Sequence, residues 1–363
     1  MADWASLLRD ARVVRLNARL FPLIPYETAQ FARFGVSLIP VETYAPDEMI
    51  PLVADADAIC VVSASMPVAV MESLRRCRVI ARYGIGTDKL AVDAATRMGV
   101  VVANVPEFCN EEMGDHAMAL LLAVARKLPQ MAQVFADGAW TRGRELGWGL
   151  RRLRGRTLGL IGFGNSAIAL ARRAKACGLD LLATRRNMKA RDPEAEALGV
   201  TMVDLETLLR ESDYVSLHLP LSKATYHLLD DARLRLMKPD AVLINVARGA
   251  LVDENALAAA LAAGRLAGAA IDTWEGINVF AGVEEPPQFA LARAENVVRT
   301  PHVAALSVES MEEVAKSCAE NLASVLAGHW PRPDHIVNPE VIPRIPLAPY
   351  DESLFDKNAE EIV

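Results

Sequence analysis

The sequence predicts an α/β protein built from two doubly wound parallel-sheet lobes. Three observations carry that expectation. Short β-type runs alternate with helix-type segments nearly from the first residues, a second and cleaner series of the same kind starts at Thr157, and a glycine-rich turn follows the first strand of that second series. At 363 residues, 52% of them apolar, the chain is long enough to bury two cores.

The first series runs through Val13 and Val14, Val36 to Ile39, Ala58 to Val62, Val79 to Ala81, and Val100 to Ala103. A helical stretch from Glu111 to about Lys127 follows, so rich in Ala and Leu that it either connects two lobes or packs on a second subunit. After the basic stretch Arg151 to Arg156, six strands are expected: Thr157 to Ile161, Leu179 to Ala183, Asp213 to Leu217, Ala241 to Asn245, Gly268 to Thr273, and Asn296 to Thr300. Helix patterns fill the gaps, and the one from Asp253 to Ala263 stops at Gly264 as a C-cap would. Val308 to Leu326 reads as one amphipathic helix long enough to return to the first lobe. The expected organisation is therefore a discontinuous substrate domain, 1–108 with 304–340, interrupted by a nucleotide-binding domain, 109–303, with a ligand-binding cleft between them. Residues 341–363 form a tail, and the chain from Pro331 onward, Pro-rich and then acidic, reads as an extended surface segment.

Composition removes several classes of function. Lys plus Arg number 39 against 46 Asp plus Glu, and a net charge of −7 offers no basic footprint for nucleic acid. No apolar run reaches the roughly 18 residues of a membrane span, and the N-terminus lacks a basic stretch followed by an apolar one. The five scattered cysteines read as reduced core residues, which fits the cytoplasm.

The strand Thr157 to Ile161 runs straight into Gly162-Phe163-Gly164-Asn165-Ser166-Ala167, the G-x-G-x-x-G/A pattern opening a helix. Gly162 permits the tight turn, Gly164 lets backbone approach a pyrophosphate, and Ala167 is the small residue at the helix–strand contact. The helix N-terminus beginning at Asn165 and Ser166 supplies N–H donors to phosphates. The competing explanation, a tight turn in any α/β protein, is outweighed by strand, helix and spacing together, which make this lobe a Rossmann domain; the other lobe is expected to be flavodoxin-like. About 20 residues on, the second strand ends Ala183-Thr184-Arg185-Arg186, with no carboxylate for a ribose 2′-hydroxyl. Unless they are merely solvated surface, Arg185 and Arg186 point to NADP, with NAD the alternative.

Further motifs follow in order: Arg82-Tyr83-Gly84-Ile85-Gly86-Thr87-Asp88, His218-Leu219-Pro220-Leu221 with Thr225, Asn245-Val246-Ala247-Arg248-Gly249-Ala250-Leu251-Val252-Asp253-Glu254, Ala270-Ile271-Asp272, and Thr300-Pro301-His302. From about residue 79 to 337 the sequence resembles the D-2-hydroxyacid dehydrogenase family. The resemblance implies hydride transfer between NAD(P)H and C2 of a small 2-oxo or 2-hydroxy acid. It implies that the backbone N–H groups at Ile85 and Gly86 bind the substrate carboxylate, that Arg248 grips the carboxylate and carbonyl, that His302 is the general acid/base, and that Asp272 lies near the nicotinamide. The cofactor set becomes Gly162, Gly164, Asn165, Ser166, Arg185, Arg186, Val246 and Asp272.

The chemistry of the residue types agrees. A guanidinium holds a carboxylate in a planar bidentate fork that lysine cannot reproduce, and Arg248, just past an apolar strand, sits at a parallel strand's carboxyl end rather than as an ordinary solvated charge. Histidine is the group most easily tuned to give or take the proton near neutral pH. Of six histidines, His116 lies on a helix and reads as structural, His218 and His227 flank strand and loop, and His329 and His335 read as solvated. His302 ends a strand after Pro301.

In the family a glutamate five residues after the aspartate partners that histidine, but here the position is Ile277. The Glu-Pro pattern reappears at Glu284-Glu285-Pro286-Pro287, as if a segment such as Gly276 to Gly282 had been inserted. Glu285 is the expected partner, with Glu275 in reserve, against the reading that Glu284 and Glu285 only solubilise a loop. No metal-ligand spacing and no G-x-S-x-G elbow is present. Two alternatives stay open: a nucleotide-dependent corepressor without turnover, and a formate- or phosphite-type dehydrogenase on the same scaffold. The substrate's side chain would be read by Phe21 to Pro25, Ser63 to Met66 and the inserted segment. A homodimer through the helix from Glu111 to Lys127 and the region of Trp140 is expected.

Overall fold

The computed structural model describes residues 8–19, 21–188, 191–280 and 286–355. Contacts divide the chain into two units. Met1–Phe108, Phe280–Gly282 and Ser307–Val363 form the first, and Cys109–Val279 with Val283–Leu306 form the second.

The first unit carries β1 (Val13–Leu16), β2 (Leu38–Val41), β3 (Ala58–Val61), β4 (Val79–Arg82) and β5 (Val101–Ala103), all parallel and ordered β2-β1-β3-β4-β5. That is the flavodoxin-like order, in which the strand sequence reverses beside β1. Helices Pro25–Ala32 and Pro46–Val53 both begin with proline, whose fixed φ suits the first turn and whose missing N–H has no partner to lose there. The helix Val308–Leu326 starts at a Ser307–Ser310 capping box and packs on Pro25–Ala32 and β4, so the sequence's returning helix completes this unit.

A buried ion pair stiffens the same sheet. Arg15 is fully buried; its Nε lies 2.9 Å from Glu27 Oε1, which also accepts the Tyr83 hydroxyl at 2.6 Å. Deleting either charged partner would strand the other in the interior, at a cost of about 3–5 kcal/mol. The described part of the tail, 341–355, is tied down. Arg344 donates from Nε to Met98 O at 2.7 Å and from its terminal nitrogens to Arg75 O at 2.5 Å and Leu74 O at 2.7 Å.

The second unit has β6 (Thr157–Ile161), β7 (Asp180–Thr184), β8 (Thr201–Met202), β9 (Tyr214–Leu217), β10 (Val242–Asn245), β11 (Gly268–Ile271) and β12 (Val297–Arg299), ordered β12-β11-β10-β9-β6-β7-β8 and again all parallel. Six strands match the sequence reading. The seventh, β8, has two residues and too short a β-type run to announce itself. Alternate residues leave each strand on opposite faces: Leu243, Ala269 and Ile271 join one core cluster, and Val242, Ile244 and Ala270 the other. Burial on both faces is why these strands read as continuous apolar runs.

The helix Asn110–Ala125 spends part of its apolar surface within its own unit. Ala117, Met118, Leu120 and Leu121 are buried in this unit's own core, and the helix crosses Asn165–Ala176 so closely that a Cβ on Gly114 would lie 2.8 Å from that of Ala169. The exposed apolar side chains come after it: Leu128, Phe135, Trp140 and Trp148, the last 88% exposed.

Candidate active site

At the switch point of the second sheet, β6 and β9 pair and their carboxyl ends meet. Gly162 adopts φ 88°, and a Cβ there would fall 2.3 Å from the His218 carbonyl oxygen. Gly164 caps the twelve-residue helix Asn165–Ala176 in extended conformation, and a Cβ there would meet no atom within 4 Å. One glycine is thus required by protein, while the other opens the helix N-terminus to a ligand. Ala167 is fully buried against the sheet. A pyrophosphate fits this cradle, because its donors are backbone N–H groups at the positive end of a helix dipole.

Ser166 is held by His218, whose Nδ1 lies 3.1 Å from Ser166 Oγ and whose Nε2 lies 2.9 Å from Ser216 Oγ. Burial pushes the His218 pKa down to about 4, so this imidazole is neutral at pH 7. At the end of β7, Arg185 is turned back: it pairs with Asp192 at 2.5 Å, and its Nε donates to Asn187 O at 3.1 Å. Arg186 is exposed.

Beyond β10, Asn245 shapes the next turn by donating to Arg248 O at 2.8 Å and accepting from Ala247 N at 3.1 Å. Val246 is buried, and Arg248 is half-buried with one terminal nitrogen 2.7 Å from Ala247 O. Gly249 is pressed on the chain after β11; a Cβ there would sit 2.1 Å from Glu275 N.

Asp272 has no exposed surface. Its Oδ1 accepts from the Thr300 hydroxyl at 2.6 Å and Val303 N at 2.9 Å, and its Oδ2 from Ala304 N at 3.1 Å. Burial would raise its pKa, but donors on His116, Thr300, Val303 and Ala304 outweigh that and hold it below the usual carboxylate range. These donors bracket His302, which sits at φ 61°, a left-handed conformation that costs a non-glycine residue roughly 1–2 kcal/mol. Asp272 therefore faces the His302 turn, not a solvent-accessible surface. Glu275 is engaged elsewhere, with Oε2 2.8 Å from His227 Nε2 and Oε1 accepting the Tyr226 hydroxyl at 3.0 Å. Glu284 and Glu285 lie outside the described residues.

In the first unit, the turn after β4 places Gly84 at φ 132°. Asn104 Nδ2 donates to Ile85 O at 2.8 Å, and Arg82 Nε to Gly86 O at 2.9 Å. Ile85 is 41% exposed. Phe280 joins this unit, its ring 5.8 Å from Phe21 and 5.4 Å from Lys89 Nζ.

A family profile described as D-isomer specific 2-hydroxyacid dehydrogenase, NAD binding domain, matches residues 118–304. The chain is 39% identical over 284 residues to a glyoxylate reductase of Thermococcus litoralis, covering 76% of this chain and 81% of that one. This chain belongs to the D-isomer specific 2-hydroxyacid dehydrogenase family. A D-3-phosphoglycerate dehydrogenase of Archaeoglobus fulgidus is 36% identical over 285 residues, 78% of this chain and 52% of that one. Among solved structures, an NADPH-dependent glyoxylate/hydroxypyruvate reductase of Sinorhizobium meliloti, in complex with NADP and malonate, superposes with TM-score 0.76 at 29% identity, over 92% of this chain and 98% of that one.

The protein is thus an NAD(P)-dependent 2-hydroxyacid dehydrogenase. Within its second unit the dehydrogenase brings Gly162, Gly164 and Ser166 together at one strand end, and Asp272 together with the His302 turn at another. Residue types alone did not reveal the contacts of His218 with Ser166, of Asn104 with Ile85 or of His116 with Thr300, because each partner lies far along the chain. Among the described residues no cluster of His, Cys, Asp or Glu has metal-holding geometry, and no helix is long and apolar enough to cross a membrane.

Proposed function

We propose that this dehydrogenase reduces a small 2-oxo acid of the glyoxylate, hydroxypyruvate or pyruvate kind, with NADPH preferred over NADH. The observation that carries the reading is the His302 turn, a strained backbone fixed by a buried carboxylate, as expected where an imidazole must be aimed. Its similarity to glyoxylate reductases supports the substrate class. The fingerprint glycines and Ser166 hold the dinucleotide, Val246 lines its path, and Arg186, supported by Arg185, meets a 2′-phosphate. The bound nicotinamide supplies the hydride.

The chain's own residues do the rest. Backbone N–H groups of Ile85 and Gly86 and the Arg248 guanidinium bind the substrate carboxylate, and Arg248 also polarises the carbonyl. His302 gives its proton to the C2 oxygen during reduction and takes it back in oxidation, with Glu285 as the carboxylate that keeps it protonated. Phe21 to Pro25, Ser63 to Met66 and the segment after Trp274 meet the substrate's side chain, with the Phe280 ring 5.8 Å from that of Phe21. We propose residues 1–108 with 304–340 as the substrate domain and 109–303 as the nucleotide domain. The working form is a cytoplasmic homodimer, its interface formed by the helix from Glu111 to Lys127 and the segment around Trp140, beside which Leu128, Phe135 and Trp148 are exposed. Buried free thiols at Cys60, Cys77 and Cys318 suit a reducing compartment.

The test is oxidation of NADPH and NADH with glyoxylate, hydroxypyruvate and pyruvate in turn. Turnover that is lost in His302→Ala and Arg248→Ala with nucleotide binding intact supports the reading. Nucleotide binding without turnover on any oxo acid overturns it.

A further inference from the structure

His116 stands on the helix Asn110–Ala125, and its Nε2 lies 3.1 Å from Thr300 Oγ1 and 3.5 Å from Asp272 Oδ1. The hydrogen-bond directions are fixed by elimination. A charged carboxylate only accepts, so the Thr300 hydroxyl spends its one proton on Asp272, and the hydroxyl oxygen must accept from His116. Nε2 of His116 therefore carries hydrogen, whichever state Nδ1 adopts.

Thr300 is fixed at each polar atom. Its N–H donates to Ile271 O at 3.0 Å and its carbonyl accepts from Trp274 Nε1 at 3.0 Å. Two residues later comes His302 in its left-handed conformation, and after it the N–H groups of Val303 and Ala304 return to Asp272. The carboxylate thus closes a ring over residues 300–304 with His302 at the centre, and His116 reaches that ring from another helix. The His116 side chain keeps 22% of its surface exposed, while Ala117, Leu120 and Leu121 of the same helix fill the core.

We infer that His116 is a positioning residue for His302, acting through Thr300 and Asp272 to aim the imidazole that exchanges the proton. This rests on the proton-donor role proposed above for His302. The network sets orientation and not affinity for nucleotide, so its loss appears in kcat and leaves cofactor binding alone.

The experiment compares His116→Leu, His116→Gln, Thr300→Val and Thr300→Ser in the full chain, each checked for an unchanged melting temperature. His116→Leu and Thr300→Val should each lower kcat at least tenfold with NADPH Kd within twofold of wild type. The double variant should be no worse than either single, because both break one chain of contacts. Glutamine places an N–H near the position of Nε2, and serine keeps the hydroxyl, so both should recover most of the rate. Hydrogen exchange at the Val303 and Ala304 amides, read without substrate, should quicken tenfold or more in His116→Leu. Leucine and valine variants within twofold of wild-type kcat, a glutamine variant as impaired as leucine, or unchanged exchange would each overturn the inference. Wild-type protein inactive on every oxo acid tried would instead remove the proposed function, and the exchange measurement alone would then decide the matter.

Discussion

Each unit of this molecule carries a glycine turn at the carboxyl end of a parallel strand, and the two turns are built by opposite means. After β4, the backbone of Gly84 to Gly86 is fixed by added side chains, with Asn104 on the Ile85 carbonyl and Arg82 on that of Gly86. After β6, the backbone of Gly162 to Gly164 is fixed by the removal of side chains, with Gly162 pressed on the His218 carbonyl and a twelve-residue helix starting at once. The first design is a clamp and the second a close fit. A clamp loosens by degrees when one jaw is lost; a close fit fails when anything is added.

The sharpest break is Gly162→Ala. A methyl group 2.3 Å from a carbonyl oxygen, at φ 88°, forces the turn open. We expect a loss of more than about 2 kcal/mol, seen as a melting point lower by about 5 °C or more, and NADPH affinity reduced at least ~100-fold. Calorimetry and nucleotide titration check both. A variant that binds NADPH normally would mean the fit is not close.

Arg186→Ala sharpens the second turn by separating its pyrophosphate from the 2′-phosphate. NADPH should bind about tenfold more weakly with NADH unchanged, whereas Arg185→Ala should do less, since Arg185 is already paired with Asp192. Equal effects on both nucleotides would refute a phosphate contact. At the clamp, Asn104→Ala removes one neutral hydrogen bond worth about 1 kcal/mol, so KM for the oxo acid should rise about fivefold with nucleotide Kd and melting point nearly unchanged. An unmoved KM would show that the β4 turn holds its shape without that jaw.

A further test distinguishes the turns by pH. His218 is depressed from 6.5 to about 4, so between those values the unfolded chain binds more protons than the folded one. Stability is full above about pH 6.5, falls as pH drops through that window and levels off near 4. Melting curves from pH 7 to 4.5 should show a shallower decline in His218→Asn than in the parent protein. Parallel declines would assign the acid sensitivity to other groups.

What the sequence revealed followed from how local each signal is. Strands buried on both faces announce themselves as apolar runs, and Gly162-Phe163-Gly164 declares its turn within six residues. The uses of single side chains were hidden wherever the partner is far along the chain. Asp272 reads as a residue at the end of a strand, and nothing nearby tells that its donors stand at positions 300, 303 and 304. Glu275 was ambiguous for the same reason, because Tyr226 and His227, which occupy it, lie 49 and 48 residues away. Part of the Ala and Leu on Asn110–Ala125 is buried inward, where Gly114 lets two helix backbones approach, and nothing in the local sequence told which part.

The Arg344 strap bears on how the molecule is made. Its guanidinium closes over carbonyls at Leu74, Arg75 and Met98, and the helix Val308–Leu326 packs on the same unit, so elements separated by more than 200 residues must meet before that sheet is complete. The second unit is nearly continuous in the chain. During synthesis, a ribosome therefore delivers the second unit's last strand while the first still lacks both its closing helix and its strap. The amino-terminal sheet, though made first, is finished last, and until then its β4 face lacks the cover of Val308–Leu326.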